Sequence, residues 1–166
     1  FHARPCDLTA IVSMVVERHK EIAPDFEFRL DLGKLPPAIP GDPKHLDQVF
    51  TNLLSNAVKY SGSNRLVEVQ GWCDGETAQV SVRDHGIGIP ESDLPRLFQR
   101  YFRAGTSTGI PGTGIGLDIV KRLVELHGGR VTLASTEGAG STFTICLPLV
   151  NSRPDNDQTP AAPSDS

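Results

Sequence analysis

Asn52 and Asn56 stand four residues apart in NLLSNAVKY (52–60), a run that is otherwise mostly apolar. Asparagine disfavours helix interiors because its amide competes with the backbone for hydrogen bonds, so two of them at helical spacing ask for a reason. On a wheel of about 100° per residue, Val49, Leu53, Leu46, Ala57, Phe50, Leu54 and Val58 cover one broad face. Gln48, Lys59, Asn52, His45 and Asn56 fall in a separate narrow stripe. The two amides lie about 6 Å apart along the axis, close enough to serve one ligand. A solvated face would also explain the stripe, although such faces favour Glu, Lys and Arg. Two amides and a lysine in their place look like neutral ligands plus a phosphate contact.

Two glycine-rich stretches carry further chemistry. DHGIGIP (84–90) ends a strand-like run with an aspartate followed by alternating glycines; glycine allows positive φ and lets a ligand approach the main chain. Alone, it reads better as a tight turn capped by Asp84. GTGIGL (112–117) has glycines at every second position, which is not the G-x-G-x-x-G dinucleotide fingerprint, and no Gly-Lys-Ser/Thr follows to make a P-loop. What remains is a glycine loop running into a helix N-terminus, where free N–H groups and the dipole favour a phosphate.

These residues need elements to hold them. Asp7 can cap a helix whose apolar positions Leu8, Ile11, Val12, Val15 and Val16 recur at helical spacing. FEFRLDL (26–32) alternates like a strand, 33–43 is a proline-rich loop, and 44–60 is helical. Strands at 66–72 and 78–84 form a hairpin around Asp74-Gly75. A turn and short helix cover 91–102, and 106–116 is loop. A helix runs from Gly116 to about His127, closed by Gly128-Gly129. Strands at 130–135 and 141–148 flank the turn TEGAG. The pattern predicts an α+β two-layer sandwich, a mixed sheet of about five strands covered on one face by three helices. Residues 1–150 form one domain, and 151–166, without aromatics and rich in Pro, Ser and Asp, form a disordered tail or linker.

The 166 residues are 38% hydrophobic, enough for one domain with a core. A net charge of -4 gives no global attraction to nucleic acid or an anionic membrane. The longest apolar runs, such as 11–16, are too short to span a bilayer. No signal peptide is visible. Three scattered cysteines read as reduced thiols in a cytosolic setting.

Taken in order, the motifs resemble those of the catalytic ATP-binding domain of sensor histidine kinases, a branch of the Bergerat fold shared with gyrase, the mismatch-repair ATPases and the heat-shock chaperone ATPase. The N box is DQVFTNLLSNAVKYS, the first glycine box VRDHGIGIP, the F box LFQRYFRA and the second glycine box GTGIGLDIV. GGRVTLASTEGAGSTFTICLP resembles the family's last two strands. The likeness covers about residues 5–149, and four linked motifs make it specific where one would not.

The resemblance implies ATP and Mg²⁺ as ligands. Asn56 would coordinate the magnesium, with Asn52 as a second ligand or water anchor. Lys59 would contact phosphate and Tyr60 would pack near the adenosine. Asp84 would accept a hydrogen bond from the adenine amino group and reject guanine, whose carbonyl there is another acceptor. Gly86 and Gly88 would let the backbone close on the base, and Ile89 and Thr142 would line the pocket. Phe98, Tyr101 and Phe102 would anchor the stem of a lid over the phosphates, with Arg103, and Arg100 beside it, reaching the γ-phosphate. Gly112, Thr113, Gly114, Ile115 and Gly116 would form the flexible second box, and Leu117 the start of a helix aimed at the phosphates. Asp118, where the family usually has a small residue, would compete with the triphosphate.

Within the wider superfamily, hydrolases and serine kinases carry a glutamate base one turn before the magnesium asparagine. This chain has Asn52, an amide that takes no proton at neutral pH, whereas a neutral imidazole is already nucleophilic. The expectation is phosphoryl transfer to a histidine on a dimerisation domain outside this chain, for relay to a response regulator receiver domain. The alternative is an ATP-binding module that hydrolyses ATP or only senses nucleotide. His2, His19, His45, His85 and His127 include no acceptor followed by Glu or Asp in a helical dimerisation segment, so the chain reads as cut just after its dimerisation helices. The parent is expected to be a homodimer and this piece monomeric and cytoplasmic, with or without a membrane anchor in the parent.

Overall fold

Two aspartates set where the first helices begin. The computed structural model of the protein describes residues 1–99 and 116–150. In it the Asp7 carboxylate accepts the Ala10 amide at 3.0 Å, opening α1 (Leu8–Ile22). Asp42 accepts the Lys44 amide at 3.1 Å, opening α2 (Pro43–Lys59). Pro43 occupies the first turn, where its missing N–H would have had no helical partner. A third helix, α3 (Gly116–Leu126), ends where Gly129 and Gly128 donate to the carbonyls of Val124 and Glu125 at 3.1 and 3.0 Å. Gly128 has φ of 76° there, so the expected glycine cap is a Schellman turn.

Strand β1 (Arg4–Cys6) pairs with β3 (Ile39–Gly41) in a small antiparallel sheet. The main sheet holds β2 (Glu27–Asp31), β4 (Leu66–Asp74), β5 (Thr77–Asp84), β6 (Arg130–Thr136) and β7 (Gly140–Pro148) in the order β2-β4-β5-β7-β6. β2 runs parallel to β4, and the other pairs are antiparallel. The expected two-layer α+β sandwich, five mixed strands with three helices on one face, is the fold observed. The β1–β3 pair lies partly in the segment expected to be loop. Strands of three residues, with Pro5 opposite Pro40, give no alternating pattern to read.

Opposed residues of an antiparallel pair share a face. Val67, Val69, Ala78, Val80, Val82, Phe143, Ile145 and Leu147 thus form the floor of one core, closed by the helices. α2 buries Leu46, Val49, Phe50, Leu53, Leu54 and Ala57. Each fully buried aliphatic side chain contributes about 1.5–3 kcal/mol, against about 0.7 kcal/mol or less of lost propensity per asparagine. Packing therefore holds α2 helical and leaves its polar stripe free to be chosen for other reasons.

After the first glycine box a 3₁₀ turn covers Glu91–Arg96, within the stretch expected to hold a turn and a short helix. Leu97 is buried, and the Phe98 ring stands edge-on to Phe143, centroids 6.3 Å apart. Tyr101, Phe102 and Arg100 lie outside the described residues, as does 151–166.

Candidate nucleotide site

Strand β5 carries its core-facing alternation one step past Val82, and the next residue on that face is Asp84. The carboxylate is 6% exposed. It accepts the Gly86 amide at 2.9 Å, and the Ser141 backbone N–H also points at it. Burial lifts its pKa to about 6; those two amides and the nearby His85 charge oppose the rise. His85 in turn meets Glu68 Oε1 through Nε2 at 2.8 Å.

The protonation state matters because only the carboxylate can accept from an amino group at both oxygens. With a folded pKa near 6, Asp84 is ionised at pH 7 and gains a proton as the pH falls. Adenosine, which has no phosphate to titrate, should therefore bind about 10-fold more weakly at pH 5 than at pH 7, followed by NMR titration. A flat profile would mean that the carboxylate does not meet the base.

Backbone ties strap the loop after Asp84 to its neighbours. Ile87 donates to the Tyr60 carbonyl at 3.1 Å and accepts from the Gly138 amide at 2.7 Å. Ile89 donates to Ser135 Oγ at 2.9 Å, and Ser135 Oγ donates to the Gly140 carbonyl at 3.0 Å and lies 2.7 Å from Ser141 Oγ. The glycines make this packing possible. A Cβ on Gly86 would come within 1.9 Å of Tyr60 O, and one on Gly88, at φ +68°, within 2.0 Å of Thr136 O. The close approach they permit is to protein backbone, where an approach to the base had been expected. Tyr60 likewise meets this loop through its carbonyl.

Thr142 is a correction. Its cross-strand partners are Arg83 and Ala134, on the face of the sheet turned away from the helices and from Asp84. Ser141, opposite Asp84 and Ser135, is the residue on the pocket side, and it is 6% exposed. Counting alternate positions back from Phe143 in the sequence would have found Ser141. Nothing in the sequence singled out Ser135.

On α2, Asn56 is half-buried, and among the described residues its side-chain amide has no hydrogen-bond partner. Lys59 is exposed. Asn52 is engaged: Nδ2 donates to the Gly116 carbonyl at 3.0 Å, and Oδ1 accepts from Gln48 Nε2 at 2.7 Å. Gly116 opens α3, and Leu117 packs partly buried against the core. Asp118, expected to compete with a triphosphate, is paired with Arg122 at 2.7 Å one turn later, which offsets its charge. Arg103, Gly112, Thr113, Gly114 and Ile115 lie outside the described residues. No cluster of three or more His, Cys, Asp or Glu among the described residues could hold a metal. Asn56 could hold a magnesium ion through its neutral amide oxygen, as a guest shared with the phosphates of a nucleotide.

An aspartate buried at a strand end, followed by a glycine loop tied to the end of an asparagine-bearing helix, is the frame of an ATP-binding domain of the Bergerat type. The family described as "Histidine kinase-, DNA gyrase B-, and HSP90-like ATPase" matches residues 41–151, and the chain belongs to it, as a catalytic ATP-binding domain of the sensor histidine kinase branch. It is similar to the circadian input-output histidine kinase CikA of Synechococcus elongatus, 46% identical over 128 residues, 72% of this chain and 17% of that protein. It is 37% identical over 158 residues to the sensor-like histidine kinase SenX3 of Mycobacterium tuberculosis, covering 93% of this chain and 38% of SenX3. This chain thus spans a minor part of these relatives' length. Among solved structures, a mycobacterial sensor histidine kinase MprB superposes with TM-score 0.79 at 30% identity, covering 90% of this chain and 99% of that one. The full-length ShkA structure in complex with AMPPNP superposes at 0.78 with 27% identity, covering 90% of this chain and 32% of that one.

Proposed function

We propose that this domain binds ATP with Mg²⁺ between α2 and the loop after β5, and delivers the γ-phosphate to a histidine on a dimerisation domain outside this chain. From there the phosphate would pass to a response regulator receiver domain. Asp84 accepts from the adenine amino group, with the Gly86 and Ser141 amides fixing its oxygens. Ile89 borders the base, Tyr60 the adenosine, and Lys59 contacts phosphate. Asn56 offers its amide oxygen to magnesium, with Asn52 beside it. Held by Asn56 and the nucleotide, magnesium would neutralise the charge that develops on the transferred phosphate.

The observation that carries transfer over hydrolysis is the state of Asn52. Its amide nitrogen is committed to the Gly116 carbonyl, so the position that would hold a water-activating carboxylate holds a hydrogen-bond donor. Two histidines of this chain are also poor acceptors. His19 and His127 are buried, with both ring nitrogens hydrogen-bonded: His19 to Val15 O and Ser55 Oγ, His127 to Leu123 O and the Asp42 amide.

No helix among the described residues is long and apolar enough to cross a membrane. A cytoplasmic domain of a homodimeric parent, itself monomeric when isolated, fits the proposal. The test is phosphate release by the fragment alone. It should match that of Asn56→Ala, because neither protein holds a base or an acceptor. Release in the wild type well above that variant would place the chain with the hydrolases.

A further inference from the structure

We propose that Gln48 is a positioning residue, acting through Asn52 to hold the start of α3 against α2. The Gly116 carbonyl can only accept, so the Asn52 atom 3.0 Å from it must be the amide nitrogen. The Asn52 oxygen then faces the other way, and the group 2.7 Å from it must be a donor, the Gln48 NH₂. One backbone carbonyl thereby fixes the orientation of two side-chain amides. Gln48 lies one turn before Asn52 on the same face of α2, where such pairs meet.

The contact has a counterpart at the other end of α3. There the Asp42 amide, just before α2, donates to His127 Nε2 at 3.0 Å, just after α3. Among the described residues, Asn52 to Gly116 is the one hydrogen bond between the two helices proper. α3 is thus pinned at both ends, and at its start the pin falls where the glycine-rich segment joins the helix. Gly116 O is also the carbonyl that the Val120 amide needs for the first helical bond. The direction of the Asn52 amide therefore bears on where the free N–H groups of the first turn lie relative to Asn56. The tether stands on geometry alone; its consequence for phosphate binding rests on the nucleotide reading above.

Polarity separates this role from an ordinary surface pair. Gln48→Glu puts an acceptor against Asn52, which must turn its NH₂ toward the new carboxylate and its oxygen toward Gly116 O, breaking the tether. Gln48→Lys keeps a donor. Asn52→Asp removes the NH₂, although as a metal ligand a carboxylate would serve at least as well. Amide hydrogen exchange of residues 120–122, followed by NMR on the protein without nucleotide or metal, reads the tether. Gln48→Glu and Asn52→Asp should exchange about 2- to 10-fold faster, the factor a single net hydrogen bond supports, while Gln48→Lys stays at the wild-type rate. Wild-type exchange in Gln48→Glu, or equal acceleration in Gln48→Lys, would overturn the proposal. A second arm, Mg-ADP affinity of the same variants, tests the consequence: exchange altered as expected with affinity unchanged would leave the tether standing and sever it from nucleotide binding.

Discussion

Asp84→Asn should abolish tight ATP binding while leaving the domain folded. The wild-type carboxylate holds the Gly86 amide at 2.9 Å and takes the Ser141 amide as well, which leaves acceptor capacity for a base. An asparagine has one oxygen for these tasks. If its NH₂ faces the backbone, donor meets donor; if it faces the pocket, it presents a donor to the adenine amino group. Either way the charge-assisted bond is lost, at a cost of about 1.5–3 kcal/mol, or roughly 10- to 150-fold in affinity. Stability should move the other way. Because burial raises the folded pKa of Asp84 to about 6, its contribution to stability is full below the ordinary carboxylate pKa and lost as the pH rises through 6. At pH 7 the ionised group is a net cost, so the neutral variant should melt no lower than the wild type. Calorimetric titration with ATP beside a melting curve checks both, and unchanged affinity in a folded variant would remove Asp84 from the site.

Asn56→Ala should leave α2 intact and cancel the effect of magnesium. Alanine is the better helix former, and among the described residues the Asn56 side chain makes no hydrogen bond that the fold would miss. With no cluster of His, Cys, Asp or Glu able to hold a metal among the described residues, the proposed magnesium site would draw on this oxygen and on the nucleotide. Even the outer-shell partners of metal ligands are worth about 10- to 100-fold in metal affinity, so the gain in ATP affinity on adding magnesium should fall by at least about 10-fold. Binding of ATP in excess EDTA should change little. An equal magnesium gain in variant and wild type would assign the ion to other groups.

Much of this arrangement was legible because one physical signal dominated each element. The apolar face of α2 repeats at helical spacing, and its buried residues are those on that face. Asp7, and Gly128 with Gly129, mark helix ends through backbone groups that must be satisfied locally. What escaped was set by neighbours distant in sequence. The β1–β3 pair brings Arg4–Cys6 against Ile39–Gly41 with too few residues for a pattern. Gly86 and Gly88 look like ligand glycines in sequence, but the atoms that forbid a side chain there belong to Tyr60 and Thr136. Thr142 and Ser141 differ only in strand parity, which the register with Asp84 decides. The amide of Asn52 gave no hint of its partner, because Gly116 lies 64 residues away.

The most direct test of a histidine-directed kinase domain is transfer of a radiolabelled γ-phosphate from ATP to a separately made dimerisation domain. With magnesium present, the label should appear on that partner, be lost in acid and survive alkali, as a phosphohistidine does, and fail to appear with Asn56→Ala. Transfer should depend on the partner's concentration, since productive encounter replaces the tethering of a single chain. An acid-stable label, or free phosphate in place of any label, would contradict the account.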